Sequence, residues 1–434
     1  MRFIFVLLQM LSVYNLAAQQ PGFPVHTGDI LNDTDGKPVN AHGAGILKYN
    51  GTYYLFGEIK KGTTWLVPGQ AWEDYLVPAG GVSCYSSKDL INWKNEGVAL
   101  ASLTGDASND LDTSKIIERP KVVYNKQTNK FVMWMHVDAN DYSYSQAGVA
   151  VSDQPEGPYK YLGSVKPNGQ MARDMTVYKD EDDKAYLVYA SEFNKTMHVC
   201  LLSDDYTSPT ATYSRITSAI NREAPAVFKF QNKYYLITSD CTGWSPNPAT
   251  YAVADSLLGQ WKQMGNPCKG AGAESTFLSQ STFVLPTANK AVFIFMADRW
   301  NKTDLPNSRY VWLPLEMVNG QPEIRMPQTK KDQSSNARQS KIYFTSKEKN
   351  RVAAGSNYRY HFTAADSAGK NFSYAVKNLP SWLQYDSVKH LLTGKTVKAG
   401  QYPVHLVAFN AGIYIVKVYS TDFKMTYTFK IVKL

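Results

Sequence analysis

Five stretches of the 434-residue chain repeat one pattern, and this repetition constrains the fold more than any other feature. Each is an apolar, aromatic-rich run entered from a polar tip: NGTYYLFGE (50–58), TNKFVMWMH (128–136), DKAYLVYAS (183–191), NKYYLITSD (232–240) and NKAVFIFMA (289–297). Each reads as a strand that begins after a tight turn. The first four are followed by a second strand and a polar turn, in VSCYSSKDLINW, AGVAVSDQPEGPY, HVCLLSDDYTSP and TYAVADSLLGQW; the fifth has a looser counterpart in SRYVWLPLEMVNGQP. Anchors at Leu55, Met133, Leu187, Leu236 and Phe293 are spaced by 78, 54, 49 and 57 residues. Self-similarity at roughly 40 to 60 residues, with one small antiparallel sheet per unit, is the signature of a β-propeller. The expected fold is therefore all-β, with five blades over residues 20–317 and a strand near residues 23–31 to close the ring.

The same alignment marks a site. One turn and one strand before each anchor lies the start of the innermost strand, where a propeller surrounds its channel. His42, Asp174, Glu223 and Gln280 each stand 13 residues before their anchor, and Glu118 stands 15 before, because the turn NKQTN is longer. A polar residue at a strand start is commonly just solvated, but five in register, three of them carboxylates, point to a shared site. Convergent carboxylates repel, so at least one is expected to be protonated or neutralised by cations. Arg119, Arg173 and Arg222 stand beside them; strand alternation assigns these to pairing between blades rather than to the pocket. A protonated carboxyl facing a cleft is what glycosidic-bond cleavage requires, since the leaving oxygen must receive a proton.

The motifs NAHGAGILKYNGTYYLFGE, CYSSKDLINW, ERPKVVYN, FVMWMHVD, RDMTVY, LSDDY, EAPAVF and SQSTFV resemble glycoside hydrolase family 43, within it the exo-β-1,3-galactanase-like branch. The likeness spans about residues 40–315. It implies a five-bladed propeller of inverting, exo-acting enzymes, with Glu223 as general acid, Asp174 orienting that acid and tuning its pKa, and Glu118 binding the terminal sugar. Most of the wider family carries an aspartate base on the first blade, whereas this chain has His42 in AHGAG. The galactanase-like branch shares that absence and has a glutamine on the fifth blade, matched by Gln280. An amide is a very poor proton acceptor, so Gln280 is expected to position the water, and the base stays open between an unusual route, Glu118 and His42. The likeness makes Glu58 and Glu192 sugar-hydroxyl ligands, with surface ion pairs the competing reading. Tyr142, Trp244 and Trp300 lie in loops where rings stack on pyranoses, or where they simply pack. His136 and His198 read as core histidines. The acidic run DEDD (180–183) reads as a solvated hairpin tip rather than a metal site. No cofactor is expected to be required; a structural calcium ion is a possibility that the family raises and no residue here supports.

The remaining expectations concern the ends of the chain. MRFIFVLLQMLSVYNLAAQQ has an early Arg2, an apolar run and small residues at Ala17 and Ala18, the layout of a signal peptide over residues 1–19 and hence of an exported protein. Cys84, Cys200, Cys241 and Cys268 lack metal-ligand spacing, and sequence does not decide between one disulfide and free thiols. Residues 318–340 read as a linker, and 341–434 as an immunoglobulin-like sandwich resembling the Ig modules appended to bacterial exported enzymes. The net charge of +9 divides unevenly: residues 336–434 carry 15 Lys/Arg against 4 Asp/Glu, or +11, leaving −2 for the rest. The basic balance thus lies outside the propeller, which removes the main support for a nucleic-acid enzyme. The expected function is release of galactose from β-1,3-linked galactan or arabinogalactan by a monomer without a membrane span. The alternatives are an α-L-arabinofuranosidase, a β-D-galactofuranosidase, or a glycan-binding propeller without hydrolysis.

Overall fold

The computed structural model describes residues 24–327 except 71, 72 and 219, together with shorter stretches between 343 and 433. The chain divides into two compact units, Met1–Pro327 and Gln328–Leu434. The expected signal peptide (1–19) lies outside the described residues.

In the first unit the repeats become five sheets, antiparallel and in chain order apart from Cys268–Lys269, which pairs parallel to the outer strand of the fifth. The first sheet comprises His42–Tyr49, Thr52–Lys60, Ala79–Ser87 and Lys94–Leu100; the second Ile116–Asn125, Lys130–Asp138, Gln146–Ser152 and Lys160–Val165. The third comprises Met175–Lys179, Ala185–Ser191, Thr196–Leu202 and Pro209–Ile216; the fourth Glu223–Phe230, Lys233–Ser239, Thr250–Ala254 and Lys262–Gln263. The fifth comprises Gln280–Pro286, Val292–Arg299, Arg309–Val318 and Gln321–Arg325, with Cys268–Lys269 on its edge. His26–Thr27 pairs with Arg309–Val318 through His26 opposite Trp312, so the strand sought near residues 23–31 is two residues long and joins the fifth sheet.

The second strands are almost continuously apolar because both of their faces are buried. Five core clusters each draw on two neighbouring sheets: Phe56 and Cys84 with Val122 and Met133, Trp134 with Val177 and Leu187, and Val188 with Val227 and Leu236. Phe228 and Ile237 then meet Val284 and Phe295, and Leu285 and Met296 meet Ile46 and Leu55, bringing the fifth sheet back to the first. Hydrogen bonds between the innermost strands follow the same circuit. Lys121 Nζ donates to Gly43 O at 2.7 Å, Arg119 Nε pairs with Asp174 at 2.8 Å, and Ala224 N donates to Asp174 Oδ2 at 3.0 Å. Ser281 Oγ then donates to Ala224 O at 2.6 Å, and Thr282 Oγ1 to Ala44 O at 2.8 Å.

Two expectations need correction. The linker does not begin at 318, because Gln321–Arg325 is a strand of the fifth sheet. Asn319 and Gly320, with φ of 51° and 74°, form the two-residue hairpin turn that an Asn-Gly pair favours, a signal that the polar composition masked. In the fifth sheet the residue equivalent to Leu55 is Phe295, paired with Val284, rather than Phe293. The second unit consists of antiparallel strand pairs, among them Asn357–His361 with Leu391–Lys395 and Ser373–Lys377 with His405–Phe409. Leu383 and Leu392 are buried there, with Tyr358, Tyr360, Trp382 and Tyr385 packed around them.

Candidate active site

The five polar residues do stand at one structural level. His42, Glu223 and Gln280 open their strands, Glu118 is the third residue of its strand, and Asp174 directly precedes Met175. In the first, second and fourth sheets the ladder then shifts by one residue, a β-bulge. The extra residues Gly43, Arg119 and Ala224 have φ of 56°, 52° and 58°. A bulge re-aims side chains, and it overturns the alternation argument for Arg119. That arginine is buried at the centre of the ring, where Nε meets Asp174 at 2.8 Å, one terminal nitrogen meets Gln280 Oε1 at 2.7 Å and the other meets Ser281 O at 3.0 Å. It does pair between sheets, as expected, but with the site residues themselves. Arg173 bonds Ser145 Oγ and Tyr142 O of the neighbouring sheet, whereas Arg222 pairs with Asp240 in the loop of its own sheet.

Glu223 is half-buried, and its carboxylate oxygens accept from Gln280 Nε2 at 2.8 Å and Asn194 Nδ2 at 3.3 Å. Burial and the adjacent Asp174 charge push its carboxyl up to about 8, against the opposing pull of Arg119. Asp174 Oδ2 receives both Arg119 and the amide of Ala224, which fixes the backbone beside the acid. Gln280 is held on both sides: Oε1 accepts from Arg119 and from Trp300 Nε1 (3.0 Å), and Nε2 donates to Glu223 and to Ser239 Oγ (3.1 Å). Both Oε1 lone pairs are therefore occupied, and a water could bond there only by displacing one of these donors.

Glu118 has a different environment. Burial works against its charge, but Lys60 at 3.5 Å, His136 at 3.4 Å and Arg119 outweigh it and hold the carboxyl well below the usual range. Glu58 pairs with the same Lys60 at 2.9 Å, and burial together with Glu118 pushes it upward. His136 is buried as expected, yet it is part of the site. Its Nε2 meets Asp138 at 2.9 Å and its Nδ1 faces Glu118; the two carboxylates overcome burial and raise it to about 9. Asp138 is in turn fixed by the amides of Ala139, Tyr144 and Ser145. Tyr142 stacks on His136, with centroids 6.1 Å apart. Lys60 Nζ lies 5.6 Å and 5.7 Å from the rings of Trp244 and Trp300, so both tryptophans border the carboxylate cluster. Asp74 is buried nearby, and burial and Glu118 push it up to about 6.

Two expected site residues, His42 and Glu192, stand differently. His42 is 1% exposed, with Nδ1 on Asp298 at 3.0 Å and its ring stacked on Tyr310, so it lies behind the cleft face. Glu192 is clamped by Arg215 at 2.6 and 2.7 Å and by His198 at 3.1 Å, away from the other carboxylates, the ion-pair reading of this residue. His198 is fully buried. The DEDD run forms the turn after Met175–Lys179, with Asp180 on Lys229 and Asp183 on Lys179 and Lys126. All four cysteines are free thiols. A cavity of about 290 Å³, lined by Ser239, Trp244, Asn247, Leu278 and Trp300 among others, adjoins the ring at Gln280 rather than over the carboxylates. Ligand atoms of Glu118, His136 and Asp174 lie within 4.8 Å of one another. A metal does not fit them: both imidazole nitrogens face carboxylates, so the ring is a double donor without a free lone pair, and Lys60 and Arg119 already supply positive charge.

Sequence reasoning missed Lys60, Asn194, Ser239 and Asp298. A signal for two of them existed, since Glu58, His136, Ser239 and Asp298 are the partners opposite His42, Glu118, Glu223 and Gln280. A polar residue thus recurs on four of the five second strands as well, the third sheet carrying Ala190 opposite Asp174.

Residues 36–276 match the family model for glycosyl hydrolases family 43, and residues 342–430 match an Ig-domain model, He_PIG. Among solved structures, a GH43 β-1,3-galactosidase with galactodeoxynojirimycin is 40% identical, covering 70% of this chain and 98% of that one, with a TM-score of 0.64. An exo-β-1,3-galactanase from Phanerochaete chrysosporium with β-1,3-galactotriose is 30% identical, covering 90% and 79%, with a TM-score of 0.63. An exo-β-1,3-galactanase from Clostridium thermocellum is 26% identical, covering 91% of each chain, with a TM-score of 0.61. Comparison with curated proteins returns no match. The family match and the galactosidase and galactanase neighbours make the chain a glycoside hydrolase, and a carboxyl pushed upward beside two ion-paired carboxylates suits that class. The chain belongs to glycosyl hydrolase family 43, with an Ig-like domain following the catalytic unit.

Proposed function

We propose that this protein is an exported, exo-acting, inverting enzyme that removes galactose from the non-reducing end of β-1,3-linked galactan or arabinogalactan. The observation that carries the reading is the division of labour within one ring. Glu223 keeps its proton at neutral pH, while Asp174 is ion-paired with Arg119 and Glu118 with Lys60. Glu223 donates that proton to the glycosidic oxygen as the C1–O bond breaks, and water attacks C1 from the opposite face, forming the C1–O bond of the inverted sugar and releasing its proton to solvent water, from which Glu223 is reprotonated. Asp174 raises the acid's pKa and anchors the backbone beside it; Glu118, with Glu58, receives hydroxyls of the terminal sugar. Gln280 fixes the acid and, once a sugar displaces Trp300 or Arg119 from Oε1, orients the water; no residue is assigned as base. The galactosyl preference is supported by the structural neighbours described as β-1,3-galactosidase and exo-β-1,3-galactanase. The five sheets, with their five shared cores, support a five-bladed propeller as the scaffold.

The test is to incubate the protein with β-1,3-galactan and follow anomeric protons by NMR. Initial release of α-galactose is expected; arabinose or galactofuranose from matching substrates reassigns the specificity, and saturable binding without turnover refutes catalysis. Glu223→Gln is expected to abolish cleavage of β-1,3-galactan and to retain binding.

A further inference from the structure

A row of stacked groups runs beside the carboxylate cluster. Tyr142 stacks on His136, the partner of Glu118. Arg173, next to Asp174, lies 5.7 Å from the Tyr142 ring and 5.7 Å from the Phe193 ring. Phe193 precedes Asn194, whose amide bonds the Glu223 carboxylate. The row Tyr142–Arg173–Phe193 therefore follows the order Glu118, Asp174, Glu223. Its last member is anomalous: Phe193 is 67% exposed, the most exposed aromatic ring among the described residues of the first unit. It sits in a run of three left-handed non-glycine residues, Glu192, Phe193 and Asn194, with φ of 54°, 58° and 63°. Such a run is strained, and the clamp of Arg215 and His198 on Glu192 holds it in place. Backbone strain of this kind clusters at ligand clamps, and what sets Phe193 apart is its place in the row beside the partners of Glu118, Asp174 and Glu223.

We propose that Phe193 is the platform for the leaving-group sugar, the galactosyl unit on the far side of the bond that Glu223 protonates. The inference rests on the galactanase reading above. A general acid contacts the oxygen between the terminal sugar and the next one. With the terminal sugar over Glu118 and Tyr142, the end of the row beyond Glu223 faces the next ring. The α-face of a galactosyl unit presents a patch of C–H groups, which suits the face of a phenyl ring. Arg173 holds the ring from the side of Asp174 and keeps it oriented.

The experiment compares Phe193→Ala, Phe193→Trp and Leu278→Ala with the parent protein. Leu278 is 55% exposed and borders the cavity on the Gln280 side of the acid, where the leaving group would otherwise lie. The readouts are KM and kcat on β-1,3-galactotriose, inhibition by galactose, which fills the terminal subsite alone, and thermal melting. Phe193→Ala is expected to raise the triose KM about fivefold to tenfold, with galactose inhibition unchanged within about twofold; Phe193→Trp restores the KM, and Leu278→Ala leaves it within about twofold. An unchanged KM in Phe193→Ala, an equal loss of galactose and triose affinity, or a loss confined to Leu278→Ala overturns the proposal. A parent protein that neither cleaves the triose nor responds to galactose overturns the functional reading itself, and the platform with it.

Discussion

Replacing Asp174 by Asn tests what keeps Glu223 protonated. The change removes a negative charge whose Oδ2 bonds the amide next to the acid, at 3.0 Å. It also leaves Arg119 without its partner, and that cation already opposes the rise of the Glu223 pKa. Both effects have the same sign, favouring the ionised acid. Unit charges about 5 Å apart at an effective dielectric of roughly 20 interact by about 3 kcal/mol, or about two pKa units. Solvent at the half-buried cleft face reduces this, so a fall of about one to two units is expected. The proton donor must be present for turnover, so kcat/KM in the parent falls as pH rises through about 8, and in Asp174→Asn it falls one to two units earlier. The assay is the pH dependence of kcat/KM on an aryl β-galactoside with a poor leaving group. A dinitrophenyl galactoside serves as control, because its leaving group needs no proton and its alkaline limb should vanish in both proteins. An alkaline limb that stays in place or moves upward in Asp174→Asn, with the fold intact by melting, would refute the argument.

Three further outcomes follow from the same geometry. A carboxyl raised in the folded state binds its proton more tightly there than in the unfolded chain, so Glu223 withdraws stability as pH rises from about 4.3 to about 8. Glu223→Gln should remove that loss, so that its melting temperature exceeds the parent's at pH 8 by more than at pH 4.5. His136 has the opposite sign: its raised pKa contributes stability that is complete below about 6.5 and lost as pH rises through about 9, so His136→Gln should lower Tm at pH 7 and flatten its decline toward pH 9.5. The loss at pH 7 should correspond to about 3 to 5 kcal/mol, because Glu118 and Asp138 lose a buried partner. Gly43→Ala places a methyl 2.5 Å from Glu58 Oε1 and 3.1 Å from Arg119 N at a φ of 56°, so it should lower stability by at least about 1 to 2 kcal/mol and reduce kcat/KM together. Full activity and unchanged melting in that variant would show that the bulge tolerates a side chain.

Repetition is legible in a sequence because five copies of one sheet must bury the same faces, so Leu55, Met133, Leu187 and Leu236 align without any structure. At Gln280 two departures cancel: the residue equivalent to Leu55 is Phe295 rather than Phe293, and the hairpin before it is longer, so the offset of 13 from Phe293 still falls on the ring position. The bulges are what no period-two reading contains. Each adds a residue to one strand, and at Arg119 that addition converts a side chain assigned outside the pocket into the link between Asp174 and Gln280. Lys60 and Asn194 were illegible for another reason, since each occurs in a single repeat and leaves no periodic trace.

This distinction bears on the chemistry. The repeat supplies three carboxylates at equivalent positions, which by symmetry alone would titrate alike. Glu118 and Glu223 differ through what stands beside each. Lys60 and His136 stand beside Glu118, and Arg119 is turned by its bulge onto Asp174. Glu223 instead receives hydrogen bonds from the neutral amides of Gln280 and Asn194. Burial and the Asp174 charge push Glu223 up, and a neutral amide offsets them less than an ammonium or guanidinium would, so this is the position that retains its proton and is proposed as the acid. A lysine in place of Asn194, for example, would provide at Glu223 the cation that Lys60 provides at Glu118, and would be expected to remove the acid function while preserving the ring.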